Sequence, residues 1–219
     1  TRVVADQFIL FFEEKWNNGS IEAIKRINNG FIERQQRKYP EAKLRLRTGV
    51  YKVEKDCDGA SFAIDAANYA RRQIQDNSPE TVCVYDKTMA DLQNMENEIA
   101  IGLDKAIKNK EFKIYLQPRF SLTTGKIVGA ESLVRWQRED GTILPPDSFI
   151  PVYEKNGRII DLDFYMFEET VKLLANWKEQ GILQRLISIN ASALHAQNSD
   201  TVHRYTTILE KYGVDPALI

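Results

Sequence analysis

The sequence has few of the residues that usually build zinc or disulfide sites. It contains two cysteines, Cys57 and Cys83, and neither belongs to a CxxC pair. This usage argues against a zinc site and favours a reducing compartment. The two histidines, His195 and His203, fit no ligand spacing and are predicted to be ordinary helix residues.

Long apolar runs and an excess of charge of one sign are also missing. The longest compact apolar stretch, Phe8 to Phe12, suits a buried strand and is too short to cross a bilayer. With 30 Lys and Arg against 31 Asp and Glu, the net charge of -1 offers no basic field for a nucleic-acid polymer. We therefore expect a cytoplasmic protein without membrane contact in this chain, while a longer parent protein leaves room for an upstream anchor.

Hydrophobic periodicity divides the chain into two parts joined by a helix. The first part, residues 1–85, alternates strands with helices. Its predicted elements are a strand at 1–12, a helix at 21–38, a strand at 44–50, a helix with a small-residue face near 63–74 and a strand at 81–85. Residues 86–108 are predicted to form the connecting helix, and its apolar stripe is Leu92, Met95, Ile99, Leu103 and Ala106.

The second part, residues 109–219, again alternates strands and helices, which is typical of an α/β layer or barrel. Strands are predicted at 112–116, 127–134 and 186–190, and helices at 146–156, at 161–180 and up to residue 209. A complete eight-stranded barrel needs about 250 residues, so this part is expected to supply the first half of one. A half barrel leaves an open sheet edge, and we interpret the chain as a fragment of a longer protein.

The motifs with chemical content lie in this second part. In chain order they are Gln117-Pro118, Glu131-Ser132-Leu133, Arg135-Trp136, Phe149-Ile150-Pro151 and Asn190 with Ser192. Each is weak alone, but their order and spacing together resemble the EAL domain family across essentially all of residues 110–219. The resemblance implies a (β/α) TIM-like barrel that hydrolyses cyclic di-GMP to linear pGpG with two Mg²⁺ or Mn²⁺ ions.

The resemblance also implies roles for five residues. Glu131 and Asn190 match metal ligands, and Gln117, Leu133 and Arg135 match contacts with the dinucleotide. Glu131 and Asn190 carry the hard oxygen donors that these ions prefer, and in a barrel both lie near the carboxyl ends of strands, where active sites form. Arg135 has the same strand parity as Glu131, so both can point to one side, and its guanidinium can fork onto a phosphate.

Simpler interpretations stay open for these residues. A lone Glu131 on a strand is usually solvated or salt-bridged, and Asn190 can cap the following helix. Arg135 can cover Trp136 or pair with Glu139 instead of meeting a phosphate.

Several positions depart from the family pattern. Ser132 replaces the usual Ala, and little change is expected because both are small. Residues 119–121 replace an apolar pair and an Asp, and Tyr153 and Arg158 stand where small or apolar residues are usual. These changes bear on substrate access and partner contacts. The family's remaining ligands and its Lys general base come after the position of Ile219, so no catalytic set is complete and the chain alone is expected to be inactive.

Residues 1–85 resemble the later part of a GGDEF domain, the diguanylate cyclase fold. The segment from Arg2 to Phe8 stands where that family has Arg-x-Gly-Gly-Asp-Glu-Phe. Val4 and Ala5 replace glycines that permit a positive-φ turn, and Gln7 replaces a metal-binding carboxylate, so cyclase activity is not expected. The resemblance implies a partial, degenerate GGDEF-type α/β sandwich. A generic sandwich without a ligand is the alternative.

The leading hypothesis is a bacterial cyclic di-GMP signalling protein whose EAL domain hydrolyses the dinucleotide and whose GGDEF domain is inactive and regulatory. One alternative is a catalytically silent module that acts as a cyclic di-GMP receptor. Another is a dimerisation scaffold that binds no nucleotide. A homodimer through the EAL domain is compatible with each of these.

Overall fold

The computed structural model describes residues 2–4, 6–11, 18–76, 78–197 and 199–219. These residues belong to two compact units, Thr1–Met95 and Glu96–Ile219. Within the described ranges, no helix is both long and apolar enough to span a membrane.

The first unit contains two small sheets and two helices. Its strands are β1 (Arg2–Val4), β2 (Gln7–Phe8), β3 (Thr48–Val50) and β4 (Val82–Val84), and its helices are α1 (Asn18–Lys38) and α2 (Ala60–Arg72). A third helix, α3 (Lys87–Lys108), begins in this unit and continues into the second. β1 pairs antiparallel with β2, and β3 pairs in parallel with β4.

Three predicted boundaries in this unit are wrong. The predicted strand at 1–12 is two short strands that fold back on each other, and residues 12–17 lie outside the described residues. α1 begins at Asn18 and not at residue 21, so Ser20 is buried inside the helix. The predicted strand at 44–50 is reduced to Thr48–Val50, because only these residues find ladder partners, in β4.

The core of the first unit forms where α2 packs on β3. Small residues dominate the buried face of α2, as predicted, and they let the helix lie close to the strand. The buried apolar residues of this core are Val50, Ala63, Ala66, Tyr69, Ala70, Ile74 and Val82.

The second unit is a four-stranded mixed sheet with helices. Its strands are β5 (Phe112–Phe120), β6 (Ile127–Gln137), β7 (Ile143–Leu144) and β8 (Leu186–Ile189). Its helices after α3 are α4 (Pro146–Asn156), α5 (Ile159–Glu179) and α6 (Thr201–Tyr212). β6 pairs antiparallel with β5 and β7 and in parallel with β8.

The three predicted strands and three predicted helices of this unit are present, with β5 and β6 longer than expected and α6 ending at Tyr212 and not at residue 209. The short strand β7 was not predicted. The predicted helix ends at 156 and 180 agree with the structure to within one residue, since α4 ends at Asn156, directly before Gly157, and α5 ends at Glu179. The stripe predicted for α3 is buried at Ile99, Leu103 and Ala106, whereas Leu92 is half exposed.

One face of the sheet packs against helices and is apolar. Trp136 and Phe112 of this face meet Phe149 and Tyr153 of α4 with ring centroids 5.7 to 6.3 Å apart. A polar contact crosses the packed face, between Ser132 Oγ and Thr170 Oγ1 of α5 at 3.1 Å. The opposite face carries mostly polar side chains, which are exposed on β5 and partly buried on β6.

Two departures from the family pattern lie away from that polar face. Tyr153 is fully buried in the aromatic cluster behind the sheet. Arg158 is on the surface, where it pairs with Asp161 and Asp104. In the structure, therefore, neither residue lies on the face that a substrate of the predicted site would approach.

Removing the Tyr153 hydroxyl is expected to stabilise the protein. This hydroxyl is buried with no hydrogen-bond partner among the described residues, and burial raises the pKa of the phenol. Tyr153→Phe is expected to raise the free energy of unfolding by about 1 kcal/mol, because an unsatisfied buried polar group costs about 1–3 kcal/mol. Urea denaturation measures the change.

The matched control is Tyr212→Phe. The Tyr212 hydroxyl donates to Glu168 Oε1 at 2.7 Å, so its removal is expected to lower stability by about 1 kcal/mol. A Tyr153→Phe protein that is less stable than the parent would contradict the assignment of an unpaired hydroxyl.

Candidate metal centre and nucleotide-binding face

Strand register brings the predicted site residues together. Gln117 of β5 lies directly opposite Glu131 of β6, and Glu131 is paired on its other side with Ser188 of β8. Directly paired residues of neighbouring strands share one face of a sheet. Asn190 follows the end of β8 and has the parity of Ser188, so it reaches the same face.

Alternation along β6 separates the site residues from the core. Glu131, Leu133 and Arg135 occupy alternate positions, and the residues between and after them, Ser132 and Trp136, are buried on the helix-covered side. The predicted shared direction of Glu131 and Arg135 is therefore confirmed. Gln117 is exposed on the same side, and Leu133 is partly buried.

The two implied metal ligands are in direct contact. Asn190 Nδ2 donates to Glu131 Oε1 at 2.8 Å, although the residues are 59 positions apart in the chain. Both side chains therefore converge on one face of the sheet. The alternative in which Asn190 only caps a helix is not supported, because its amide meets the carboxylate and α6 begins only at Thr201.

The donor chemistry of this pair fits a divalent cation. Rotation of the Asn190 amide exchanges Nδ2 with Oδ1, which are nearly equal in size, and the pair then presents only oxygen donors. Mg²⁺ and Mn²⁺ prefer carboxylate and carbonyl oxygens. Among the described residues, no group of three or more His, Cys, Asp or Glu side chains could hold a metal, so the fit concerns these two donors and not a full coordination shell.

Arg135 lies near the C-terminal end of β6, two residues after Leu133. Its Nη1 donates to the Val134 carbonyl at 2.7 Å, and its guanidinium lies 5.5 Å from the ring centroid of Tyr115. The two simpler roles considered for Arg135, covering Trp136 and pairing with Glu139, are filled by other residues. Arg138 covers the Trp136 ring at 5.3 Å, and Glu139 interacts with Lys105 and Asn109.

The sequence motifs missed other residues that share this face. By strand parity they include Lys113, Tyr115 and Arg119 on β5 and Ser188 on β8. Arg119 Nη1 reaches Ser188 Oγ at 3.5 Å. The alternation of β5 could have identified three of them, because they have the parity of Gln117. We call the whole set the open face: Lys113, Tyr115, Gln117, Arg119, Glu131, Leu133, Arg135, Ser188 and Asn190.

The open face is suited to an anion beside a cation site. Three of its residues are basic, namely Lys113, Arg119 and Arg135, and Glu131 is its one acidic residue. Arg119 reaches across Gly129, its direct partner on β6. A Cβ on Gly129 would lie 2.5 Å from the Leu186 carbonyl oxygen, so glycine permits β8 to approach β6 here.

Behind the open face, the turn after β8 rests on α5. Asp163 Oδ2 accepts the Ser192 backbone N–H at 2.8 Å and lies 3.0 Å from His195 Nε2. His203 lies in α6 as predicted, but the prediction for His195 needs correction. It lies in a short 3-10 turn, Ala193–Gln197, where it is buried against Asp163.

Comparison with known proteins assigns the class. The EAL domain family matches residues 102–219, more than half of the chain, and the chain belongs to that family. The matched residues include all five predicted site residues.

Individual relatives are consistent with this class. The chain is 39% identical over 92 residues to the cyclic di-GMP phosphodiesterase PdeL of Escherichia coli, a match that covers 42% of this chain and 25% of PdeL. It is 19% identical over 216 residues to the bifunctional diguanylate cyclase/cyclic di-GMP phosphodiesterase MucR of Pseudomonas aeruginosa, covering 99% of this chain and 32% of MucR. The chain spans about a fifth of the length of the curated relatives DosP and YkoW.

A solved structure shares the fold. The PaMucR phosphodiesterase in complex with c-di-GMP superposes with a TM-score of 0.50 at 24% identity, covering 54% of this chain and 48% of that one. At this level of identity the likeness concerns the fold alone.

Proposed function

We propose that the chain is part of an EAL-domain phosphodiesterase that hydrolyses cyclic di-GMP to linear pGpG. The observation that carries the proposal is the contact of Glu131 with Asn190 at 2.8 Å, directly beside Gln117 on the open face. Family membership of residues 102–219 supports it, as does the basic character of the rest of that face, which suits a dinucleotide with two phosphates.

Glu131 and Asn190 would hold Mg²⁺ or Mn²⁺ through their side-chain oxygens. When bound, such ions supply an activated water and stabilise the leaving oxygen of an in-line displacement. In the hydrolysis, water adds to one phosphorus and the bond from that phosphorus to the 3′ oxygen breaks, which leaves a 5′-phosphate and a free 3′-hydroxyl. These two residues contribute by fixing where the phosphate must lie relative to the carboxylate.

The other three residues bind and orient the dinucleotide. Arg135 would exchange its bond to the Val134 carbonyl for a forked contact with a phosphate, which is charge-assisted and therefore stronger. Leu133 lies between Glu131 and Arg135 and would offer an apolar surface to a ribose or base. Gln117 is exposed and carries both donor and acceptor groups, which suits the edge of a guanine.

The first unit is proposed to be the later part of a degenerate GGDEF domain with a regulatory role. The match to MucR supports this because it extends over nearly the whole chain. Gln7 lies in β2, within the segment that resembles the cyclase motif, and its neutral amide is a poorer Mg²⁺ ligand than a carboxylate. Dimerisation through the EAL domain stays a prediction.

Cyclic di-GMP binding tests the proposal through Arg135. In calorimetric titrations of this chain with Mg²⁺, Arg135→Gln is expected to weaken the affinity for cyclic di-GMP at least tenfold, because a hydrogen bond to a charged group contributes about 1.5–3 kcal/mol. The matched control is Arg138→Gln. Arg138 lies over Trp136 and near Glu98, so its loss is expected to leave the affinity unchanged.

Two results would contradict the proposal. Absence of cyclic di-GMP binding by the wild-type chain, with and without Mg²⁺, would remove the dinucleotide as ligand. Binding without any hydrolysis by the intact natural protein would favour the receptor alternative over the hydrolase.

A further inference from the structure

The turn after β8 is held by a small buried cluster on α5. We call this cluster the α5 clamp, and it consists of Asp163, the Ser192 backbone N–H and His195. Asp163 Oδ2 accepts from Ser192 N at 2.8 Å and from His195 Nε2 at 3.0 Å. The Asp163 and His195 side chains are 13% and 8% exposed. The nearly buried Asp163 carboxylate thus accepts a hydrogen bond from the backbone N–H of Ser192, two residues after Asn190.

Hydrogen-bond chemistry assigns the roles within the clamp. A carboxylate only accepts, so Nε2 of His195 carries the hydrogen. Nδ1 of the same ring is buried without a partner among the described residues. The ring therefore makes one strong polar contact, and that contact is with Asp163. Burial raises the pKa of Asp163, while the hydrogen bonds from Ser192 and His195 oppose the shift.

Aromatic packing and a second hydrogen bond hold the ring in place. Phe164 and Tyr205 lie with their centroids 5.1 and 5.7 Å from the His195 ring. The Thr201 hydroxyl, at the start of α6, donates to the His195 carbonyl at 3.2 Å. The turn is thereby held at His195 as well as at Ser192.

The same helix also holds the strand that carries Glu131. Thr170 of α5 contacts Ser132, the neighbour of Glu131, at 3.1 Å, and Thr170 Oγ1 also donates to the Met166 carbonyl at 2.8 Å. Asp163 and Thr170 are two helical turns apart on α5, so they lie on one side of that helix. One rigid helix thus contacts the residue next to Glu131 and the turn that begins at Asn190.

We propose that Asp163 and His195 are positioning residues, which hold the turn after β8 so that Asn190 faces Glu131. Asp163 acts on the turn directly through Ser192, and His195 keeps the Asp163 carboxylate in place. The inference rests on the proposed function only where it treats Glu131 and Asn190 as metal ligands.

Hydrogen–deuterium exchange tests the clamp without any metal. Asp163→Ala in this chain is expected to speed amide exchange over residues 190–195 at least tenfold and to leave β8 unchanged. The matched control is Asp161→Ala, which removes a carboxylate on the same helix that pairs with Arg158 instead. Unchanged exchange over 190–195 in Asp163→Ala overturns the proposal.

Mn²⁺ binding tests the consequence for the site. In the intact natural protein, Asp163→Ala is expected to raise the Mn²⁺ dissociation constant, measured by electron paramagnetic resonance, by about tenfold, as is usual when a group that orients a ligand is removed. Faster exchange with unchanged Mn²⁺ affinity overturns the positioning role. A wild-type protein that binds no Mn²⁺ overturns the proposed function instead, and the exchange measurement still decides the clamp.

A conservative variant separates hydrogen bonding from packing. His195→Gln keeps an N–H donor for Asp163 and removes the buried Nδ1, so wild-type exchange and Mn²⁺ affinity are expected. His195→Leu keeps the bulk but not the donor, and it is expected to behave like Asp163→Ala. If His195→Leu matches the wild type in both measurements, the role of His195 is overturned.

Discussion

Glu131→Gln in the intact natural protein is expected to lower kcat for cyclic di-GMP hydrolysis by about a thousandfold, or about 4 kcal/mol. The substitution preserves the shape of the side chain, and a glutamine Oε1 can still accept from Asn190 Nδ2. The fold is therefore expected to survive. What is lost is the negative charge, without which the pair is a much poorer site for Mg²⁺ or Mn²⁺. Product formation at saturating Mn²⁺, followed by chromatography, measures the effect.

The matched control is Glu139→Gln, just beyond β6. Glu139 meets Asn109 and Lys105 on the surface, so its neutralisation is expected to leave kcat within about twofold, as for surface substitutions in general. Wild-type turnover by Glu131→Gln at saturating metal would show that the carboxylate binds no catalytic ion. The hydrolase proposal would then fail even if cyclic di-GMP still bound.

Gly49→Ala is expected to destabilise the first unit by about 3 kcal/mol or more, because overpacking by even one methyl costs about 1–3 kcal/mol where the surroundings cannot yield. An alanine Cβ at this position would lie 1.8 Å from the Ala67 carbonyl oxygen and 2.6 Å from the Arg71 nitrogen. Both are backbone atoms of α2, so no side-chain rotation relieves the clash, and α2 must move away from β3. Thermal unfolding followed by circular dichroism measures the loss.

Gly30→Ala is the matched control in the same unit. Gly30 lies inside α1, and the nearest atom to its added Cβ is the end of the flexible Arg34 side chain at 3.8 Å. This variant is expected to gain about 0.5–1 kcal/mol, since alanine favours a helix interior over glycine by that amount. Hydrogen exchange over residues 48–84 locates the change in the first unit. Equal stability of Gly49→Ala and the parent would contradict the close packing of β3 on α2.

Much of the open face could be predicted because it follows local rules. The alternation of β6 separates Glu131 and Arg135 from Trp136 without knowledge of any partner. Alternation alone does not predict that Glu131 and Asn190 meet. That prediction came from the order of motifs, which resembles the EAL family. The alternation of β5 indicates the face on which Arg119 lies, but not its contact with Ser188, because the register of β8 is fixed by tertiary pairing.

His195 and the first unit show where sequence patterns fail. The burial of His195 depends on Asp163, a residue 32 positions earlier, and a histidine at helical spacing gives no sign of such a partner. In the first unit, alternating Leu44 and Leu46 predicted a longer strand than β3. A strand forms only where a neighbouring strand offers free backbone groups, and among the described residues β4 offers them only to Thr48–Val50.

The mixed pairing of β6 gives the site an order of assembly. Gln117 and Glu131 meet across a hairpin, which closes a short loop and is expected to form early, whereas Asn190 meets Glu131 only when β8 docks on β6 across the α4–α5 crossover. An incompletely folded chain therefore presents a carboxylate without its amide partner. Under the proposed function, a metal ion that needs both donors is bound by the pair only in molecules in which β8 has docked on β6.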